Sequence, residues 1–481
     1  MIIKNTGERN CILLSVFAFL FHLISIKFYP VNFEFSFSEG AKFFQDFEIK
    51  LIDEYFFNQA NTFVFPLIVG LIDKILFIDD TLVTARILSS SSYLFFGLGF
   101  INIFRLYEIK ISCAFFVSYF FLNPLIWNFG HRGIPDLFAT SIAFYSFSSI
   151  LMIKHISSFK SYLYFALLGL SICIKPFCLI YLGLIFLLQY NKNLFFIIKK
   201  YFVPFFISLL LPIIYFLLIK INYGFYLIPD KFSTEVSFLK GGFFNNFFGY
   251  FIILSLFILP LSFKKKFINF KNFLIMIFIL FPLSFFLGSV IHSPQAELNF
   301  GFLNNLVGNQ PIFLIGVVSL LIFCLYVYDY LKVNYPSKNR ANIDFLIIVF
   351  FYIFILSLTR PSQRYLIIIL PLIMIFFLTT SNYLKSKVLF IPIVLLYVGF
   401  NIILFVNFYL NSSINKNIVK YLFEKDILKK TIPGPLYPHS YHYFLSEEDK
   451  SYVITTDPKN HIKKFEKNIF ILEKKFYLKK I

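Results

Sequence analysis

Four carboxylates and four cations stand where this chain could do chemistry. Glu39, Asp53, Glu54 and Asp136 fall in polar breaks between apolar runs, and so do Arg132, Lys175, Arg360 and Arg364. A carboxylate held beside a hydroxyl can take its proton, a role worth ~10²–10⁴-fold in rate. Arg and Lys make charge-assisted hydrogen bonds to anionic groups. Each residue also has a plainer reading. Glu39 and the Asp53-Glu54 pair could be solvated loop residues. Asp136 could cap a helix, since the dipole favours an acid in the first turn. Arg360 and Arg364 could anchor at a membrane interface, and Lys175-Pro176 could be a turn. His439-x-x-His442 offers two imidazoles without a third ligand nearby, so an ordinary loop is expected there.

The elements that must position these residues are membrane spans. The chain has 481 residues, of which 58% are hydrophobic and only 14% charged, with mean hydropathy +0.77. Apolar runs of roughly 15–22 residues recur along most of its length, the pattern of a polytopic α-helical membrane protein. The alternation of an outer-membrane barrel is absent. The counts of 73 Phe and 30 Tyr against one Trp accompany abundant Ile, Lys and Asn, and read as A/T-rich coding bias rather than a stacking platform for nucleic acid. All five cysteines sit in apolar runs and form no disulfide or zinc pattern. No nucleotide-binding glycine loop occurs, which argues against a nucleotide-sugar or ATP site.

The long stretch 29–81 organises the rest. It carries nine acidic residues, in a protein of formal net charge +19. Each ionised side chain at a bilayer centre costs ~2.5–3.5 kcal/mol or more, so this stretch belongs in water at one face. Its apolar segment Phe65–Phe77, interrupted by Asp73 and Lys74, suits a helix lying along the interface.

Thirteen spans are expected, at 11–28, 82–104, 111–128, 137–153, 161–174, 177–190, 201–219, 247–262, 273–290, 311–328, 345–358, 365–380 and 388–408. Starting from a cytoplasmic N-terminus with an uncleaved first span, every short Lys/Arg-rich loop then falls on one side. The acidic loop and the breaks at 130–136, 175–176 and 359–364 fall on the other. Residues 1–410 form the membrane domain, and 411–481 a small extracytoplasmic tail. The expected location is the plasma (inner) membrane.

The pieces resemble, in order, the glycosyltransferases of the C-type fold, notably the protein O-mannosyltransferase and lipid A aminoarabinose transferase branch. The resemblance rests on Ser38-Glu39-Gly40-Ala41, Phe65-Pro66-Leu67, Ala85-Arg86-Ile87-Leu88-Ser89, Arg132 with Asp136, Lys175-Pro176, and Arg364-Tyr365-Leu366 with Pro371. It covers roughly residues 10–380. One departure stands out: the family's catalytic Asp falls on Ser38, leaving Glu39. The resemblance implies transfer of a sugar from a polyprenyl-phosphate donor to a protein, lipid or glycan acceptor at the outer face. It implies Glu39 as base with Asp136 as rival or partner, and the later Asp53-Glu54 pair as the remaining carboxylates. Lys175, Arg360 and Arg364 would bind the donor phosphate, and Arg132 would orient a carboxylate. The implied partners are the lipid-linked sugar, an acceptor and the bilayer, without nucleic acid. No metal ligand set is assigned. The alternatives are a transporter or lipid flippase, and an inactive member of the same fold.

Overall fold

The structure is a computed structural model that describes residues 6–31, 34–45, 62–109, 119–153, 155–156, 158–189, 194–224, 243–262, 309–334, 340–358, 363–380, 387–428, 430–432, 450–469 and 472–480. Asp53, Glu54, Arg360, His439, His442 and the expected span 273–290 lie outside the described residues.

Helices dominate. α1 (Thr6–His22) continues through a 3-10 turn, Leu23–Ser25, and is followed by α2 (Glu34–Gln45) and α3 (Val64–Leu76). α4 (Thr81–Leu106) begins at Asp80, whose carboxylate accepts from the amides of Leu82 and Val83 at 3.0 and 3.1 Å. Those are orphan donors of a helix start, and an Asp cap satisfies them. α5 (Pro124–Gly130) and α6 (Pro135–Met152) are an apolar pair bent by 114° at the break between them. Both halves open on a proline at the first helical position, where the missing N–H costs nothing. Ile134, just before Pro135, is extended, as a pre-proline residue prefers.

The remaining helices are α7 (Phe159–Ile174), α8 (Leu179–Gln189), α9 (Leu194–Tyr223), α10 (Phe243–Ser262), α11 (Asn309–Asn334), α12 (Arg340–Ser357), α13 (Leu370–Thr380) and α14 (Lys387–Glu424). A 3-10 segment, Gln363–Ile368, leads into α13. Among the described residues, five helices are long and apolar enough to cross a membrane, or six with the bent pair counted as one span. Several expected spans are thus shorter helices, such as Phe159–Ile174 and Leu370–Thr380. The first of these ends at Lys175-Pro176, and thirteen full-length crossings do not follow from the described residues.

α4 is the central helix, packed against α1, α2, α3 and α6. α2 and α3 lie across its N-terminal end, and they cross where Gly70 meets Ala41. A Cβ on Gly70 would stand 2.4 Å from the Ala41 carbonyl oxygen, so only glycine permits this approach. The segment 65–77 is helical, as the sequence suggested, but Asp73 does not face water. It is fully buried, and Gln45 Nε2 and Thr84 Oγ1 donate to its two oxygens, tying α3 to α2 and α4. By contrast α9 presents Phe202, Val203, Phe206 and Leu218 outward, as a lipid-facing helix does.

α14 has 38 residues, about 57 Å at 1.5 Å per residue, well beyond a ~30 Å hydrocarbon core. Its last turns carry a small sheet, in the stretch read from sequence only as a small tail. Strands β1 (Thr431–Ile432), β2 (Tyr452–Thr455), β3 (Lys463–Ile469) and β4 (Leu472–Lys480) are ordered β1-β2-β4-β3, with β1 parallel to β2 and the other pairs antiparallel. Ile414, Ile418 and Leu422, on one face of α14, pack on Ile454, Phe465, Phe476 and Leu478 from the sheet. Lys467 Nζ donates to Ser413 Oγ at 2.5 Å and lies over the Tyr409 ring.

Candidate functional site

The break between α5 and α6 is where backbone polar groups are freed inside the apolar core, so each needs a partner. In lipid an unsatisfied backbone group costs several kcal/mol. The Gly130 carbonyl accepts from Ser90 Oγ at 2.9 Å, and the Ile134 carbonyl from Ser89 Oγ at 3.0 Å. The Gly133 amide donates to Glu34 Oε1 at 2.9 Å. Within the break, Ile134 N donates to the Arg132 carbonyl at 2.8 Å. Gly133 also lies against Ala85, where an added Cβ would come within 2.9 Å of the alanine methyl. The serines, the glutamate and the glycine together hold an irregular turn in a buried place.

Glu34, fully buried, is in turn held by Arg86. Arg86 Nε and Nη2 donate to the two carboxylate oxygens at 3.0 Å each, and the Val31 amide adds a bond of 2.9 Å. Arg86 Nη1 reaches the carbonyls of Ser25, Ile26 and Phe28 at 2.9, 3.2 and 2.5 Å, the freed carbonyls at the end of the first membrane helix. One bidentate pair thus satisfies the end of one span and the break of another.

In the first turn of α6 stands Asp136, 1% exposed. Lys175 Nζ lies 2.9 Å from Asp136 Oδ1, and Arg364 Nε lies 4.0 Å from the same oxygen. Local sequence puts each cation there. Lys175 occupies the extended position between α7 and the 3-10 turn Pro176–Cys178, where proline ends the helix. Thr62 Oγ1 donates to the neighbouring Ile174 carbonyl at 2.8 Å, which docks the end of the loop before α3 on this turn. Arg364 belongs to the 3-10 segment before α13, whose carbonyls at Tyr365 and Ile368 accept from Tyr352 and Tyr181 at 2.9 and 2.7 Å. The Tyr365 ring lies beneath both cations, 4.7 Å from Lys175 Nζ and 5.4 Å from the Arg364 guanidinium carbon. Such placement adds attraction for the cations and fixes their direction.

Among the residues expected from sequence, the structure brings together Asp136, Lys175 and Arg364. Arg132 makes contacts of its own. Its Nη2 donates to Asn128 Oδ1 at 3.3 Å, and its guanidinium lies over Phe129 and Phe408. Glu39 stands on α2, 22% exposed at its side chain, paired at 2.7 Å with Lys42 one turn on. Ser38 is buried, and its carbonyl accepts from Thr81 Oγ1 at 2.8 Å. Among the described residues of the acidic stretch, the carboxylate that reaches the helix break is Glu34, which sequence reasoning passed over. Two signals pointed to a buried partner without saying which carboxylate: an arginine at the start of an apolar span, which demands one, and the run Ser89-Ser90-Ser91-Ser92 within that span. Among the described residues no group of three or more His, Cys, Asp or Glu is placed to hold a metal ion.

α14 reaches the same end of the membrane domain. Phe408 packs on His131 with ring centroids 4.3 Å apart and lies under the guanidinium of Arg86 at 5.7 Å. The turns of α14 from Asn411 on, and the strands packed against them, continue from that level.

No family model and no curated protein matches the chain. Among solved structures, the chain is similar to ArnT from Cupriavidus metallidurans in the apo state, at 13% identity and a TM-score of 0.39, over 77% of each chain.

Proposed function

We propose that this protein is a membrane glycosyltransferase that moves a sugar from a polyprenyl-phosphate donor to a hydroxyl acceptor at the membrane face holding Asp136. The observation that carries this reading is the buried meeting of Asp136, Lys175 and Arg364 beside a broken span. Ionisable side chains within membrane segments are costly and default to function. Two cations at one oxygen suit a phosphate group that gains charge as it departs. In this reading Lys175 and Arg364 hold the donor phosphate, and Asp136 fixes their geometry and stands as the base. Glu39 is the second carboxylate to test. The acceptor oxygen bonds to the anomeric carbon, the sugar–phosphate bond breaks, the polyprenyl phosphate leaves with the electron pair, and the carboxylate takes the hydroxyl proton. The apolar helices α8 to α13 supply the surface for the prenyl chain. The order of motifs resembling the C-type glycosyltransferases supports the same reading, and the inner membrane is the corresponding location.

One observation favours a second reading, a transporter or lipid flippase. A span broken by 114° next to buried charges is also how such proteins build a midplane binding site. Reconstitution in proteoliposomes separates the two. Consumption of a sugar-carrying polyprenyl phosphate with release of the bare lipid phosphate supports transfer, whereas movement of the intact lipid between leaflets, without consumption, supports the flippase.

A further inference from the structure

The Arg86–Glu34 pair has no place in the chemistry proposed above, yet it is among the most completely bonded charge pairs in the molecule. Arg86 is 1% and Glu34 0% exposed, so neither is a surface anchor. The Glu34 carboxylate accepts from Arg86 twice, from Val31 N and from Gly133 N. Each of its two oxygens thus accepts two hydrogen bonds. Its reach is specific. Gly133 N is the amide donor of the break that looks back toward α2, and Asp136 follows three residues later, in the first turn of α6. Arg86 at the same time gathers three carbonyls from the end of the first span. The break's direction, and so the place of Asp136 against Lys175, depends on where α2 and the first span hold that one oxygen.

We infer that Glu34, held by Arg86, is a positioning residue: its Oε1 on the Gly133 amide sets the helix break that aims Asp136 at Lys175 and Arg364. This goes beyond the transferase reading in assigning a role to this buried carboxylate, and it rests on that reading only for its effect on turnover. Glu34→Gln keeps an oxygen for the Gly133 amide and removes the charge. Glu34→Ala removes both.

Two readouts are taken on full-length protein in nanodiscs, with assembly checked by size-exclusion. The first is hydrogen exchange over the peptide 130–136, which requires no activity. The expectation is faster exchange at Gly133 in Glu34→Ala and near-native exchange in Glu34→Gln. The second is turnover of a polyprenyl-phosphate sugar. Misplacing reacting groups by about 1 Å can cost on the order of 10²-fold, so kcat should fall by that order in Glu34→Ala, with KM little changed. Glu34→Gln should keep most of the rate and the native pH profile. Native exchange in both variants would overturn the clamp, and so would a Glu34→Gln enzyme with native exchange, no turnover and a lost pH limb, which would make Glu34 the base. If Glu34→Ala fails to assemble, Arg86→Lys supplies the comparison: it loosens the pair while leaving Glu34 in place, and native exchange over 130–136 in that variant would overturn the proposal. An absence of turnover in the native protein, with the exchange differences intact, would sink the transferase reading and leave the clamp standing.

Discussion

Lys175 Nζ lies 2.9 Å from Asp136 Oδ1, and both side chains are closed off from solvent. Taking two charges out of water is expensive, and removal of either partner strands the other. Asp136→Asn or Lys175→Met alone should therefore cost about 3–5 kcal/mol of stability. The double variant removes the mismatch within this pair and should recover part of that loss, with Arg364 still facing the substituted asparagine. Thermal melting of the four proteins in one detergent gives the coupling, and additive losses would show that the pair is not coupled.

Ser89 and Ser90 test the break independently of charge. Each donates to a carbonyl freed between α5 and α6, whereas Ser91 bonds the Leu88 carbonyl of its own helix at 2.7 Å. Replacing Ser89 or Ser90 by alanine leaves a buried carbonyl unpaired, at a cost of about 1–3 kcal/mol each. Ser91→Ala should be nearly neutral. Equal effects at all three positions would contradict this account of the break.

Gly70→Ala forces α2 and α3 apart at the Ala41 carbonyl. Overpacking of this kind costs about 1–3 kcal/mol. Because α2 carries Glu34, the variant should also lower turnover more than its loss of stability explains. A native melting temperature would show that the two helices can separate freely.

The tail should respond separately from the membrane domain. Leu422, fully buried between α14 and the sheet, should cost about 2–5 kcal/mol when cut to alanine. Limited proteolysis should then remove the strands while leaving the helices intact. Lys479 beside Asp457 holds that carboxyl below its usual range. The support it gives is present at neutral pH and is lost as the medium falls below about pH 4, the ordinary Asp range. Asp457→Asn should flatten that acid limb of protease resistance. An unchanged limb would assign acid sensitivity to other groups.

Part of this architecture was legible in sequence, because long apolar helices and the polar breaks between them follow from what a bilayer demands. The breaks at Arg132–Asp136, Lys175 and Arg364 were legible for the same reason, since charges interrupt apolar runs only where something holds them. Which carboxylate of the acidic stretch would be buried was not legible. Glu34 and Glu39 lie less than two helical turns apart, and their burial depends on the rotation of α2, set by the contact of Gly70 with Ala41. Asp73 read as an interruption for a similar reason, because its partners Gln45 and Thr84 are distant in the chain. The sheet escaped notice because its strands are short and lysine-rich, with few inward residues, and its core is completed by α14 rather than by a second sheet.

The central claim is that Lys175 and Arg364 hold the phosphate of a lipid-linked sugar next to Asp136. It is tested most directly by the binding of a fluorescent short-chain polyprenyl phosphate to purified protein in nanodiscs. A charge-assisted phosphate contact contributes roughly 1.5–3 kcal/mol, so Lys175→Met/Arg364→Met should weaken binding by at least ~10-fold. Lys42→Met, far more exposed and paired with Glu39, should bind as the native protein does. Native affinity in the double variant, with the protein assembled, would contradict the account.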